Sequence, residues 1–338
     1  MNDLILSTAP HIITARTTKK IMLDVLIALI PATAAGIVFF GWQALVLILL
    51  SLLFSFLTEF VYYLIQNAVW KNAKTTVLAF FKQFDFTSLV TGLLLALTLP
   101  ARIEGWYLPI LGSIFAVAVV KMLFGGTGKN IVNPALAGRV FLFISFAALM
   151  TSYPEANSAF GFLGDFAPNT GASPLNPVLA GNQSMALIDL FLGTGISGCI
   201  GETCKLALIV GGIYLVARGV IKWYLPLLYL ITEGLVACIF VGKMSVFLPS
   251  ICSGGVMLGA IFMATDYTTT PKTKLGNIIY FVFLGALTAV LRHATQTEVV
   301  SFAILIGNFA VFLLDLLLPA RPFGTRRLFR REKKEEKQ

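Results

Sequence analysis

The chain has 338 residues, 57% of them apolar and only 12% charged, with a formal net charge of +9. An average soluble domain is about 25% charged, so a soluble globule, a disordered chain and a disulfide scaffold are excluded together, and a polytopic membrane protein remains. The surplus charge does not point to nucleic acid, because it gathers at the two ends: residues 321–338 hold eight Lys or Arg against three Glu.

Ten apolar segments are predicted as membrane spans, at about 21–41, 43–66, 86–100, 106–124, 134–151, 203–218, 223–242, 251–265, 276–292 and 299–318. Several fall short of the ~20 residues a straight helix needs to cross a bilayer, and are read as tilted or broken helices. Residues 1–20 precede the first span, which is too long for a cleavable signal and lacks its small-residue site. A hydrophilic stretch, Asn67–Asp85, follows the second span and holds Lys71, Lys74 and Lys82. Residues 152–202 form a long loop with Glu155, Asp165, Asp189 and Glu202 but no Lys or Arg. A basic tail, 319–338, closes the chain. With the N-terminus inside, 21 of the 25 basic residues fall on the cytoplasmic side, among them Lys121, Lys129 and Arg139; Arg102, Lys205, Lys243 and Arg292 stay outside. Basic residues resist translocation, so both termini are expected in the cytoplasm and the 152–202 loop outside, in a cytoplasmic (inner) membrane.

The ten spans divide as five plus five, 21–151 and 203–318, and the halves echo each other. Thr58-Glu59 in the second span matches Thr232-Glu233 in the seventh, and the short third and eighth spans carry Thr91-Gly92 and Ser253-Gly254-Gly255. An odd number of helices per unit forces opposite orientations. The expected fold is therefore an all-α integral membrane protein of two inverted five-helix repeats with broken helices, an architecture that places ligand and ion sites near the midplane. Ala32–Gly36 and the Gly/Ser helices permit close helix packing.

Four candidate chemistries follow. Cys199, Cys204, Cys238 and Cys252 have no zinc or ferredoxin spacing and read as small apolar filler, with a Cys199–Cys204 disulfide as the one pairing their closeness allows. Gly125-Gly126-Thr127-Gly128-Lys129-Asn130 lacks the first Gly and the final Ser or Thr of a P-loop. It reads as a turn into the helix starting at Asn133-Pro134, whose free amides remain able to take a polar ligand. Glu59, Glu233 and Asp315 lie inside apolar spans, with Asp24 and Glu202 nearer span ends. A carboxylate in hydrocarbon is costly and marks a functional site by default. Glu59 and Glu233 either carry protons or Na⁺ or cap backbone amides of the broken helices, and the residues alone leave both open. Asn169-Thr170-Gly171-Ala172-Ser173-Pro174 presents hydroxyls on uncrowded backbone, as a phosphoester attachment requires.

Several stretches together resemble the RnfD/NqrB family of membrane subunits: Ser88 to Leu97, Phe124 to Ala135, Ile200-Gly201-Glu202-Thr203, and Ser253-Gly254-Gly255 leading to Met263-Ala264-Thr265-Asp266. The absence of a long N-terminal extension favours the Rnf side of that family. The resemblance implies FMN joined through its phosphate to the hydroxyl of a Ser-Gly-Ala-Thr-like motif on the outer side, attached by a separate flavin transferase. Here the motif stands as Thr170-Gly171-Ala172-Ser173, so Ser173 takes the acceptor place where the family usually has Thr. It further implies a non-covalent riboflavin, without placing it; Asn133, Thr265 and Asp266 in the broken-helix regions are candidate contacts for a flavin or an ion. Partners implied are the other Rnf membrane and peripheral subunits, including a second covalent-FMN subunit, together with membrane lipid. The chain has no dinucleotide fingerprint or cluster ligands, so ferredoxin oxidation and NAD reduction would lie on partners. The function expected is a subunit of a redox-driven translocase moving Na⁺ or H⁺, with Glu59 and Glu233 as coupling carboxylates. The rivals are a cofactor-free channel or secondary transporter and a structural anchor subunit.

Overall fold

The computed structural model describes residues 17–69, 80–82, 84–156, 174–181 and 186–319. Each of the ten apolar segments is helical. The first two form one continuous helix, α1 (Thr18–Val69), broken only at Gly41, where φ is 66°, a conformation that costs glycine nothing. There follow α2 (Thr87–Leu97), α3 (Leu108–Ile114, continued as a π-helical stretch Phe115–Met122), α4 (Pro134–Ser145), α5 (Lys205–Ala217), α6 (Tyr224–Val241), α7 (Phe247–Cys252), α8 (Val256–Leu258, continued as a π-helical stretch Gly259–Met263), α9 (Lys274–Thr295) and α10 (Val300–Leu317). Among the described residues there is no strand, and two isolated bridges tie Pro100 to Cys199 and Glu155 to Ser197.

Five helices are long and apolar enough to cross a membrane, and the α7–α8 pair, bent by 69°, makes a sixth candidate. Length alone leaves the count of ten crossings open, since α1 by itself holds two of the ten segments, one on each side of Gly41. The remainder are short for local reasons. Helix α2 stops two residues ahead of Pro100, since the residue before a proline avoids helical geometry. Helix α4 starts on Pro134 behind Asn133, whose Oδ1 accepts from the Ala135 and Leu136 amides at 3.0 and 3.4 Å. Ten of the eleven residues of α2 are buried, so this helix lies inside protein, where short and interrupted helices are tolerated.

Close approaches depend on glycine. Helix α6 packs along α9 at Gly285, where a methyl would collide with the Tyr229 carbonyl and the Thr232 hydroxyl. The break between α7 and α8 falls at Gly254, whose φ is 55°; a side chain there would meet the Glu298 carboxylate. Matched polar cross-links join the helices of each half. Ser51 of α1 pairs with Ser113 of α3 at 3.0 Å, and Tyr229 of α6 with Thr288 of α9 at 2.7 Å.

Two basic residues that the charge count assigns to the cytoplasmic side are buried instead of facing water. Lys121 lies within the π-helical end of α3 and Arg139 within α4, and both are buried in ion pairs. A charge with an interior partner need not reach water, so neither informs the topology. The Cys199–Cys204 disulfide does not form: all four cysteines are free thiols, with Cys199 buried.

Candidate functional site

An open-sided cavity of about 90 Å³ lies where the N-termini of α1, α2 and α4 meet the C-terminal ends of α3, α5 and α8. Asn133, Thr265 and Asp266, far apart in sequence, all line it. Asn133 does two jobs: its oxygen caps α4 while its Nδ2 donates to the Met263 carbonyl at 3.2 Å, joining the two halves of the chain. Its backbone amide is in turn 3.0 Å from the Asn308 side-chain oxygen, with the Asn308 amide oriented so that its nitrogen donates to Tyr280 and Ile304. Thr265 bonds back to the Ile261 carbonyl at 2.6 Å. Asp266 accepts from the Thr268 hydroxyl at 2.9 Å and the Thr268 amide at 3.4 Å. Burial pushes the Asp266 carboxyl above its ordinary range, and the Thr268 hydrogen bonds offset part of that rise. We expect Asn133→Ala to cost about 1–3 kcal/mol, from a lost cap and a lost buried bond. Asn133→Ser, which keeps a capping oxygen, should cost less; thermal unfolding in detergent measures both.

Glu59 sits at the cavity's edge, paired with Lys121 of α3: the ammonium lies 3.3 Å from each carboxylate oxygen and also donates to the Thr87 hydroxyl. Thr87 opens α2 and donates to Asp85 at 2.5 Å. Burial works to raise the Asp85 carboxyl, but the Thr87 hydroxyl, the Lys121 charge and Thr127 outweigh it and hold the group below its usual value. The glycine-rich turn Gly125–Gly128 has positive φ at Gly125, Gly126 and Gly128; it is no phosphate loop, and its Thr127 borders this cluster.

Glu233 lies elsewhere. Helix α2 runs from the cavity to Leu97, whose carbonyl accepts from Gly201, and α5 runs back from Lys205. At this far end a fully buried network assembles: Arg292 bonds Glu233 at 3.0 Å and Glu298 at 2.6 Å, and Arg139 bonds Glu202 at 3.1 Å. Lys205 donates to the carbonyls of Glu202 and Gly254. Three carboxylates face three bases there, all nearly without solvent contact. Among the described residues Glu59 and Glu233 cap no backbone amide; Glu298 does, accepting from Gly255 at the start of α8 at 3.2 Å. Asp315 is apart from both sites and accepts from the Lys272 amide at 3.0 Å. Asp24 binds Arg218 and Tyr214, locking α1 to α5.

The Thr170-Gly171-Ala172-Ser173 motif lies outside the described residues. Its described neighbour Pro174 borders a narrow cleft with Tyr153, Glu202, Thr203, Lys205 and Glu298. Sequence reasoning missed Lys121, Arg139, Arg292 and Glu298 as site residues; the only available signal was a base within reach of an apolar segment.

The family model described as "NQR2, RnfD, RnfE family" matches residues 5–324. The chain is 40% identical over 334 residues to the D subunit of the Na(+)-translocating ferredoxin:NAD(+) oxidoreductase complex of Acetobacterium woodii, covering 97% of this chain and 98% of that protein. The D subunit of the proton-translocating ferredoxin:NAD(+) oxidoreductase complex of Clostridium ljungdahlii is 33% identical over 341 residues, covering 96% and 98%. The D subunit of the ion-translocating oxidoreductase complex of Escherichia coli is 33% identical over 359 residues, covering 95% and 99%. Matched along nearly its whole length by that family model and by these relatives, the chain belongs to the NQR2, RnfD, RnfE family.

Proposed function

We propose that the chain is a membrane subunit of an ion-translocating ferredoxin:NAD oxidoreductase complex, in which it holds flavin and couples electron transfer to Na⁺ or H⁺ movement. The near-full-length similarity to the D subunits of such complexes supports the assignment to the complex. The observation that carries the flavin reading is the cavity at Asn133, Thr265 and Asp266. Its volume of about 90 Å³ is below the ~300–1,000 Å³ of typical cofactor sites, so the chemistry of its lining and its open side, rather than its size, support the reading. Its walls are apolar at Val25, Leu94 and Phe262, and polar groups converge at Asn130, Asn133 and Asp266. The Asn130 side-chain oxygen is shielded from solvent and has no partner, and Gly128 leaves open space beside it. A planar ring with one polar edge, such as a non-covalent riboflavin, fits that donor set. The Asn130 and Asn133 amides would hold the polar edge, while Val25, Leu94 and Phe262 exclude water from its faces. Bound flavin supplies one- and two-electron redox chemistry; the protein supplies position and electrostatics.

Ser173 is the attachment point proposed for a second, covalent FMN through a phosphoester made by a flavin transferase, with Thr170, Gly171 and Ala172 as its recognition context. Lys205 and Glu202, beside Pro174, would set the charge near that attachment. The five-plus-five inverted repeat, cytoplasmic termini and an extracytoplasmic 152–202 loop complete the reading, with the remaining redox centres, including a second covalent FMN, on partner subunits. Denaturing electrophoresis of the purified complex tests the attachment: the band of this subunit should fluoresce as flavin, and Ser173→Ala should abolish that fluorescence. A dark parent band overturns covalent attachment, and an undiminished variant moves the attachment to a residue other than Ser173.

A further inference from the structure

The end of α3 leaves α-helical geometry: over Phe115–Met122 it is π-helical, and the Leu123 and Gly126 amides bond to carbonyls five residues back. The wider turn carries Lys121 into the interior, where its side chain is 1% exposed. Its ammonium touches only oxygens: the two of Glu59, at 3.3 Å each, and the Thr87 hydroxyl. Thr87 connects onward to Asp85 at 2.5 Å and Thr127 at 3.0 Å. A tight charge-assisted bond is about 2.7–2.9 Å, so the Glu59 contacts are loose.

Two cavities abut at this point. One is the central cavity; the other, of about 180 Å³, is lined by Glu59, Tyr62, Tyr63, Phe80 and Asp85 among others. Thr127 borders both, and the Lys121–Glu59 pair stands between them. Among the described residues the charged side chains lining the two are three carboxylates, Glu59, Asp85 and Asp266, against the single ammonium of Lys121. The lining thus has surplus negative charge, whereas the far-end network balances three acids with three bases. Shielded polar atoms without partners flank the pair on both sides, Tyr63 Oη in one cavity and Asn130 Oδ1 in the other. The corresponding base of the second half, Arg292, is anchored by two carboxylates and two backbone carbonyls at 2.6–3.1 Å. Lys121 has no such anchorage.

We propose that the oxygens of Glu59, Asp85, Thr87 and Thr127 form a binding site for a monovalent alkali cation of Na⁺ size, and that the Lys121 ammonium is its built-in occupant. An ion arriving through the cavity at Glu59 and Asp85 displaces the ammonium, which swings on its flexible stem into the central cavity towards Asp266. One positive charge enters the site as another leaves it, so ion arrival at one cavity changes the potential in the next. This rests on the reading of Glu59 as a coupling carboxylate, and it adds the other ligands, the displaced group and the route.

The test is Na⁺ titration of the purified full chain in detergent, in choline buffer, followed by ²³Na line broadening and by the Na⁺-dependent shift in Tm. Removing a tethered competitor raises the competent fraction, so Lys121→Met should bind Na⁺ at least about tenfold more tightly than the parent. Adding Glu59→Gln to that variant should abolish binding. Independently of Lys121→Met folding, Asp85→Asn in the parent should weaken binding at least about tenfold, since it removes a full charge from the site. No tightening in Lys121→Met, residual binding in the double variant, or unchanged affinity in Asp85→Asn overturns the site. Flavin content of the same samples separates the two readings: flavin present without Na⁺ binding refutes this site alone, and Na⁺ binding without flavin refutes the flavin reading alone.

Discussion

Arg292→Met is expected to strip the chain of about 3–5 kcal/mol of stability, the usual consequence of leaving buried carboxylates unpaired. The guanidinium is wholly buried and reaches Glu233 at 3.0 Å and Glu298 at 2.6 Å, while also donating to the Ser250 and Ser253 carbonyls at 3.1 and 2.8 Å. It therefore clamps α9 to α6, to the α7–α8 break and to Glu298, two residues ahead of α10. Removing it strands two carboxylates and two carbonyls at once, against a total folding stability of about 5–15 kcal/mol. Thermal unfolding of the detergent-purified chain should show the loss as a large fall in Tm and in yield. Arg292→Lys should recover little, because one compact ammonium cannot reproduce a planar fork. Adding Glu233→Gln and Glu298→Gln to Arg292→Met should recover much of it, because the uncompensated charges are then gone. If Arg292→Met unfolds like the parent, the network is not a clamp. The same geometry divides the two carboxylates that the sequence treats alike: Glu233 is fully buried against Arg292 and Ser250, whereas Glu59 lines a cavity and meets Lys121 at a looser 3.3 Å.

The helices were legible because each is a run of apolar residues, and the break at Gly41 and the caps at Asn133 and Thr273 lie where turn and capping residues announce them. The number of crossings was less legible. Hydropathy registers burial whether in lipid or in protein, and α2 is packed against protein along ten of its eleven residues. Glu59 and Glu233 stand out in the sequence as charges inside apolar runs, but the sequence could not pair them. Lys121 is 62 residues from Glu59 and Arg292 is 59 from Glu233, and a count that only sorts bases by side of the membrane hides both pairings. Asn133, Thr265 and Asp266 were singled out as broken-helix residues, and the fold brings them to one cavity. The cavity itself was invisible, since its walls come from six separate helices and none carries a motif.

Thr91→Phe should empty the central cavity of non-covalent flavin while leaving covalent flavin in place. Thr91 lies on the cavity wall in α2, its hydroxyl bonded back to the Thr87 carbonyl at 3.0 Å, a local bond whose loss costs little. A phenyl ring at this position projects into the space between Val25 on α1 and Phe262 on α8 that a flavin ring would fill. A tenfold loss of occupancy needs only about 1.4 kcal/mol, and steric overlap with a planar ring exceeds that. Flavin released on denaturation should therefore fall to below about a tenth of the parent level, while in-gel fluorescence of the subunit persists. Thr91→Val, similar in shape but without the hydroxyl, should retain the released flavin. That pairing separates blockage from the loss of a polar contact. Equal release from Thr91→Phe and the parent would mean that the cavity holds no flavin, and the Asn130, Asn133 and Asp266 groups would then serve the passage of ions between the two cavities instead.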